Sequence, residues 1–292
     1  YLEAVKKNVQ MHARTTSAED DSWLINWRYM AAAIVMSEYH LATGEKWVLK
    51  ELEEVYALLI SSQYIDMNQI NEKVKETHPH AYPKDEMDSH GGWGHNPGFE
   101  GYGPISMLTA QGALAFALMH RCGIDVDPAR HQAAYNFLQR SAGANGYIWY
   151  KDQPSGENDW ADMGRTGTSA IAHQLSPYQD DVYHQRARLQ AKVIGQHPQS
   201  FPDTHGSPIM GMGYTAVGAN VAPGYLRQLM AANCWWFTLA QCHDGSFYYQ
   251  PNRDNAGYGT DSRIAATAVT AFIFSIPKGN LYLTGKQASD HH

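Results

Sequence analysis

Apolar residues recur at helical spacing along most of the chain. Trp23 to Leu41 carries them on one face, and Lys46 to Ile60 combines an apolar face with a charged one. Between these segments, Thr43 and Gly44 form a helix stop. The pattern therefore predicts a helical hairpin over residues 23–60, after a lead-in over residues 1–21.

The same alternation returns later, where small apolar helices are followed by amphipathic, charged ones. One such outer helix is predicted over Tyr225 to Gln241. Each apolar run begins at a turn in which glycine permits positive φ and close backbone approach. A spacing of roughly fifty residues between these turns is typical of helical-hairpin repeats. The apolar helices are predicted to begin near Trp23, Tyr102, Arg165, Tyr214 and Thr260.

These repeats predict an all-α fold, an α/α toroid in which about five hairpins close into a ring. An open row of hairpins would need polar capping repeats, and the first hairpin has no such cap. We expect residues 1–292 to form a single domain, with an ordinary helical bundle as the alternative arrangement. Leu281 to Leu283 is predicted to be a short closing strand.

Residues 61–101 form a long irregular segment that contains several glycines and four histidines. Long loops inside compact domains usually carry function. We therefore predict that this segment folds over the mouth of the ring and brings His90 or His95 to a cavity. Long loops would then cluster at one end of the toroid.

Composition limits the classes of partner. The net charge is −7 without a basic tract, which argues against nucleic acid and anionic membranes. No run of 18 apolar residues occurs, so we expect no membrane span. Aromatic residues make up 12% of the chain, with eight tryptophans, which is typical of sugar-binding grooves or of a large aromatic core.

Several motifs resemble known proteins. Asp244 to Phe247 and the alternating hairpins resemble the terpenoid-cyclase and protein-prenyltransferase superfamily of α/α toroids. A closer resemblance is to a bacterial family of unknown function with this toroid. Its matching segments are Tyr39 to Gly44, Gly91 to His95, Gly164 to Gly167, Asp203 to Gly206, Asp244 to Pro251 and Leu281 to Lys286.

The resemblance implies that a PDZ-like module often accompanies the toroid, and that the family occurs alongside polysaccharide-degrading proteins. We therefore expect a periplasmic or secreted protein. The acidic motif of triterpene cyclases is missing. Asp203, Cys242 and His243 are of the types that hold zinc in prenyltransferases, but their motif context differs. We predict no metal or cofactor, although His90 and His95 with a third ligand are the alternative.

Catalytic candidates lie beside the predicted helix starts. Asp203 precedes His205 by two residues and is placed to orient its imidazole for acid–base catalysis. Arg165 is suited to an acidic ligand, or to an ion pair with a neighbouring aspartate. The remaining catalytic candidates are Tyr214 as a proton donor, and Glu100 with Asp244 as a carboxylate pair.

Together these features favour a carbohydrate-active enzyme, either a polysaccharide lyase or a glycoside hydrolase, that acts on an acidic glycan in the toroid mouth. A lyase gives products that absorb in the near ultraviolet, and a hydrolase gives saturated reducing ends. A non-catalytic module that binds a glycan or peptide is the alternative. The predicted substrate-binding residues are Trp93, Tyr102, Tyr258, Tyr248, His90 and His95.

Overall fold

The computed structural model describes residues 2–15, 24–154, 160, 162–178, 180–203, 209–248 and 263–286. Within these ranges the chain is helical and contains no strand, which confirms the all-α class. Short 3-10 and π segments join the α-helices. The α-helices are α1 (Leu2–Thr15), α2 (Ile25–Thr43), α3 (Trp47–Ser62), α4 (Val74–Thr77), α5 (Ser106–Arg121), α6 (Pro128–Arg140), α7 (Gly164–Gln174), α8 (Asp181–Gln196), α9 (Tyr214–Ala219), α10 (Pro223–Ala232), α11 (Cys234–Ala240) and α12 (Arg263–Ser275).

The helices fall into two compact units. The first comprises Tyr1–Ala142 with Trp149–Pro154, and the second comprises Gly143–Ile148 with Ser155–His292. At the centre of the first unit lies α5, in which every residue from Ser106 to Met119 is buried. A helix that is apolar nearly all round is stable only when other elements bury it on all sides. The helices α2, α3 and α6 pack against α5.

The first hairpin confirms the predicted pattern. Its second helix, α3, buries Val48, Leu52 and Val55, while Lys50 faces solvent. Gly44 ends α2 in the left-handed conformation, with φ of 70°, and its N–H donates to the His40 carbonyl oxygen at 2.7 Å.

Two boundaries in the first unit differ from the prediction. Residues 2–15 of the predicted lead-in form α1, which packs against α2. The helix predicted from Tyr102 begins instead at Ser106. Gly103 has φ of 75°, and Pro104 disfavours helical geometry in the residue before it, so the helix starts only after Ile105.

The second unit is built on α7, which packs against α8 and α9. Gly167 on α7 and Gly218 on α9 bring the two backbones into contact, because a Cβ at Gly218 would collide with the Cα of Gly167. The predicted start of α7 near Arg165 is confirmed, since the helix begins at Gly164.

Two predictions for the second unit are wrong. The outer helix predicted over Tyr225 to Gln241 is two helices, α10 and α11, which meet at Asn233. The Asn233 side chain donates to the carbonyl oxygens of Pro198 and Leu229, at 2.7 and 2.8 Å, and so competes with the helical hydrogen bonds. The strand predicted at Leu281 to Leu283 is wrong as well, because a 3-10 turn occupies Tyr282–Thr284.

Two buried histidines, His131 in the first unit and His173 in the second, should make the protein sensitive to acid. Burial lowers the pKa of His131 to about 3 and that of His173 to about 4, from an ordinary value of 6.5. Their stabilising contribution is therefore complete above pH 6.5 and is lost as the pH falls toward these values. The loss is about 1.4 kcal/mol per pH unit for each histidine.

We expect the free energy of unfolding, measured by urea denaturation, to fall steadily between pH 6.5 and pH 5. His131→Gln should reduce the slope of the free energy of unfolding against pH by about 1.4 kcal/mol per pH unit, because one fewer proton is taken up on unfolding. The control is His184→Gln on α8, which makes the same chemical change at a partly exposed position. An identical slope in wild type and His131→Gln would contradict the prediction.

Candidate functional site

A cavity of about 320 Å³ opens in the first unit, between the region of α4 and the glycine-rich segment 89–103. Its lining combines cationic, acidic, amide and phenolic groups with one aliphatic side chain. The lining residues are Asn71, Lys73, Val74, Thr77, His78, His95, Asn96, Glu100, Gly101 and Tyr102.

The long segment 61–101 forms one wall of this cavity around a small core of its own. Tyr64, Val74 and Phe99 are fully buried together, and the rings of Tyr64 and Phe99 lie 5.1 Å apart. Backbone hydrogen bonds tie the two arms of the segment, from Asn71 N–H to the Phe99 carbonyl at 2.9 Å and from Phe99 N–H to the Gln69 carbonyl at 3.1 Å. The wall is therefore a packed structure, although it is irregular in sequence.

Glycines set the path of the segment 89–103. Gly91 has φ of 87°, and a Cβ there would collide with the Ala133 carbonyl oxygen on α6. A Cβ at Gly103 would enter the Phe99 ring. Only glycine fits these close approaches, and they deliver His95 and Tyr102 to the same cavity.

A chain of hydrogen bonds joins two side chains that line the cavity, His95 and Tyr102, to Trp27 and Tyr150. The indole Nε1–H of Trp27 donates to Nδ1 of His95 at 2.8 Å. An indole nitrogen only donates, so Nδ1 accepts and the imidazole proton lies on Nε2. That Nε2–H donates to the hydroxyl oxygen of Tyr102, which in turn lies 3.1 Å from the hydroxyl oxygen of Tyr150.

Two imidazoles flank the Tyr102 ring. The centroid of His95 lies 5.3 Å from it at 86°, and that of His78 lies 6.4 Å from it at 63°. The His78 Nδ1 is bonded to the Thr77 hydroxyl at 2.9 Å. The Tyr102 hydroxyl is consequently the central polar group of the site.

Charged groups stand at the rim and behind the site. Lys73 and Glu100 are both exposed at the rim, where their charges are open to a ligand. Behind the site, the Lys151 Nζ donates to the Tyr102 carbonyl oxygen at 2.6 Å. Burial lowers the pKa of Lys151, and its role is to hold the main chain beneath the Tyr102 ring.

A buried carboxylate holds the start of the glycine-rich segment. Asp152 accepts from Ser89 N–H at 2.8 Å and pairs with Arg140 at 3.2 Å, while Arg140 also donates to the His90 carbonyl oxygen at 2.7 Å. Burial raises the pKa of Asp152, and the two donors oppose that rise. Burial, with the nearby Arg140 charge, lowers the pKa of His90. His90 is therefore placed beside this network, and it does not line the cavity.

Trp93 lies in the core of the first unit. It has no exposed surface, its indole N–H donates to the Leu59 carbonyl oxygen at 2.9 Å, and its ring packs edge-on against Phe116 at 5.5 Å. Gly112 on α5 makes room for the ring. The structure therefore gives Trp93 a packing role where the sequence predicted contact with substrate.

The other predicted site residues lie in the second unit. Arg165 is buried and pairs with Asp162, and it also donates to the Ile148 carbonyl and the Tyr147 hydroxyl at 3.2 and 3.1 Å. This arrangement is the ion pair that the sequence offered as the alternative to ligand binding. The Asp203 carbonyl accepts from Asp162 N–H at 2.9 Å.

Asp244 lies in an exposed turn, where the Ser246 hydroxyl donates to it at 2.6 Å and Arg263 pairs with it at 3.3 Å. The hydrogen bond from Ser246 is the main cause that lowers the Asp244 pKa. Tyr248, which follows this turn, and Tyr214, which begins α9, are both partly exposed. His205 and Tyr258 lie outside the described residues.

Three residues of the site are not predicted from the sequence. The residue pattern places Trp27 on a core-facing helix, Tyr150 in a strand-like aromatic segment and Lys73 in the irregular segment. Their sequence positions carry no catalytic motif. Only the tertiary contacts bring Trp27 to His95 and Tyr150 to Tyr102.

The described residues contain no group of three His, Cys, Asp or Glu side chains that could hold a metal ion. In the same part of the chain, no helix is long and apolar enough to cross a membrane. The fold and cavity define an all-helical protein with a histidine–tyrosine site.

The family follows from a comparison with protein-family models. Residues 1–285 match the model described as a domain of unknown function, DUF6288, and the chain belongs to that family. A search of curated proteins finds no match to the chain.

Proposed function

We propose that this chain is a carbohydrate-active enzyme, a polysaccharide lyase that acts on an acidic glycan at the cavity of the first unit. The observation that carries the proposal is the hydrogen-bonded array of His95, Tyr102 and Tyr150 beside the rim cation Lys73. As part of the same proposal, the helical hairpins close into a ring with this cavity at its mouth. We also propose a periplasmic or secreted location, since such polymers lie outside cells.

Elimination from a uronate needs two kinds of group. One must move a proton from the carbon beside the carboxylate to the oxygen of the departing sugar, and a second must bind the carboxylate. Tyr102 supplies the first because its hydroxyl lies among hydrogen-bonding partners at the cavity. Lys73 and His78 supply the second, since both line the same cavity.

The net charge of −7 on the protein does not exclude an acidic ligand at the cavity. Salt screens exposed charges beyond about 8 Å, so the nearest groups decide what binds. Lys73 forms no ion pair with any described residue and is available to a ligand carboxylate.

A glycoside hydrolase is less well supported because it needs two carboxyl groups across the scissile bond. Of the described residues that line the cavity, Glu100 alone carries a carboxylate. Asp244, its predicted partner, is bound by Ser246 and Arg263 in the second unit.

A non-catalytic binding module is the second candidate. Trp235 and Leu239 lie one helical turn apart on α11 with 54% and 69% of their surfaces exposed, and such side chains are typical of binding faces. Binding without turnover, unchanged after substitution of Tyr102, would favour this candidate over the lyase.

The experiment compares uronate polysaccharides with the same polymers after their carboxyl groups are reduced to alcohols. We expect unsaturated products that absorb in the near ultraviolet from the acidic polymers and none from the reduced ones. New saturated reducing ends without that absorbance would identify a hydrolase. If no member of a broad panel of polymers gives any product, that result would contradict an enzymatic role.

We expect Lys73→Gln to raise KM for the acidic polymer by up to about fivefold, because an exposed ion pair contributes about 0.2–1 kcal/mol. The kcat should stay within about twofold, since Lys73 binds the carboxylate and does not move the proton. Lys50→Gln, on the outer face of α3, is the matched control. Equal KM values for wild type and Lys73→Gln would show that Lys73 does not bind the substrate carboxylate.

A further inference from the structure

We infer that Trp27 is a positioning residue that fixes the tautomer of His95, and that Tyr150 connects the Tyr102 hydroxyl to solvent. In this arrangement Tyr102 moves the proton, and His95 donates a hydrogen bond to Tyr102 without taking that proton itself. The inference deepens the proposed lyase activity and rests on it for its kinetic consequences. The tautomer itself is a property of the protein without substrate.

The first step is the rigid placement of Trp27 against His95. The beginning of α2 is bonded to residues 94–96 at several points. Asn26 N–H donates to the His95 carbonyl at 3.1 Å, the Asn26 side chain donates to the Gly94 carbonyl at 2.9 Å, and Leu24 N–H donates to the Asn96 side chain at 2.9 Å. These bonds satisfy donors that a helix start leaves open, and they fix the indole beside the imidazole.

The second step is the consequence for His95. A base must offer an unprotonated nitrogen to the substrate. Nδ1 of His95 is occupied by the Trp27 N–H, and Nε2 carries the proton that points to Tyr102. Accepting a proton at Nδ1 would break the bond from Trp27, so the geometry disfavours His95 as the base.

The third step concerns the Tyr102 proton. The Tyr102 and Tyr150 oxygens lie 3.1 Å apart, and in the proposed arrangement Tyr102, whose oxygen accepts from His95, donates its O–H to Tyr150. The backbone of Tyr150 is fixed by a hydrogen bond from the Ser106 N–H, at the start of α5, to the Tyr150 carbonyl oxygen at 2.9 Å. The Tyr150 side chain is partly exposed. The Tyr150 hydroxyl therefore offers the Tyr102 proton a path to solvent in addition to the cavity.

The reaction can then be written so that its protons and electrons balance. Tyr102 passes its proton to the Tyr150 oxygen while Tyr150 releases its own proton to water, which leaves a Tyr102 phenolate facing two donors. The phenolate takes the proton beside the substrate carboxylate. The electron pair of that C–H bond forms the carbon–carbon double bond, the bond to the departing sugar oxygen breaks, and Tyr102 returns the proton to that oxygen.

The tautomer is measured by imidazole ¹⁵N NMR on the full chain without substrate, with the His95 signal assigned from His95→Gln. We expect wild type to show the Nε2–H tautomer of the neutral ring. Trp27→Phe keeps a planar ring and removes the donor, so the His95 signals should move toward a mixture of tautomers. Trp47→Phe removes another donating indole, the one bonded to Glu45 outside the cavity, and should leave the signals unchanged. A wild-type Nδ1–H tautomer, or no change in Trp27→Phe, would overturn the inference.

The kinetic measurement uses Trp27→Phe and Tyr150→Phe on an acidic polymer that wild type cleaves. We expect each variant to lower kcat about tenfold, with KM within about twofold of wild type, because neither residue binds the sugar. Unaltered kcat in both would overturn the inference while leaving the lyase activity standing. If wild type cleaves no polymer, the proposed function fails, and the NMR result still decides the tautomer.

Discussion

Tyr102→Phe is expected to lower kcat on an acidic glycan about a thousandfold. Acid–base groups that move a proton in the transition state typically contribute about 10²–10⁴ in rate, and this substitution removes the transferring oxygen while keeping the ring. The phenylalanine ring retains the edge contacts with His78 and His95, so KM should change little. The measurement is the initial rate of near-ultraviolet absorbance at saturating substrate.

Tyr225→Phe is the control, because Tyr225 lies on α10 in the second unit and does not line the cavity. Both variants should keep the wild-type helical circular dichroism. A Tyr102→Phe variant with more than about a tenth of wild-type activity would show that another group moves the proton.

Trp93→Ala should destabilise the protein by about 3–5 kcal/mol, because it opens a large cavity in the core. The side chain is fully buried, and its loss would also leave the Leu59 carbonyl oxygen without the indole donor. We expect a large drop in the midpoint of urea denaturation. The test separates the packing role seen in the structure from the substrate contact predicted by sequence.

Trp235→Ala is the matched tryptophan control, since 54% of the Trp235 surface is exposed. Its effect on stability should stay within about 0.5 kcal/mol. Trp93→Phe should cost less than Trp93→Ala because it fills part of the space. A Trp93→Ala variant as stable as wild type would contradict the assignment of Trp93 to the core.

The fold is largely predictable where the apolar periodicity agrees with the residues that start and stop helices. The apolar face of α3, the stop at Gly44 and the start of α7 follow directly from residue pattern. The break at Asn233 does not, because it depends on a hydrogen bond to Pro198 that is distant in sequence. The closing strand is mispredicted because a segment as short as Leu281 to Leu283 carries too little periodicity to distinguish a strand from a 3-10 turn.

The candidate site is predictable only in part. Histidines and glycines in the long segment indicate His95 as a cavity residue, and the repeat pattern indicates Tyr102. The rest of the array depends on tertiary contacts, since Trp27 lies 68 residues before His95 and Tyr150 lies 48 residues after Tyr102. Arg165 shows the opposite case, in which a residue type suited to a ligand is satisfied by a carboxylate three residues away.

The bond from Trp27 to His95 also gives the site an optical reporter. Indole emission responds to the polarity and hydrogen bonding of its surroundings, and Trp27 donates directly to a residue that lines the cavity. A sugar that displaces water around His95 should therefore shift the emission of one tryptophan out of eight. The difference between the spectra of wild type and Trp27→Phe isolates that signal, so ligands can be titrated without a label and without turnover.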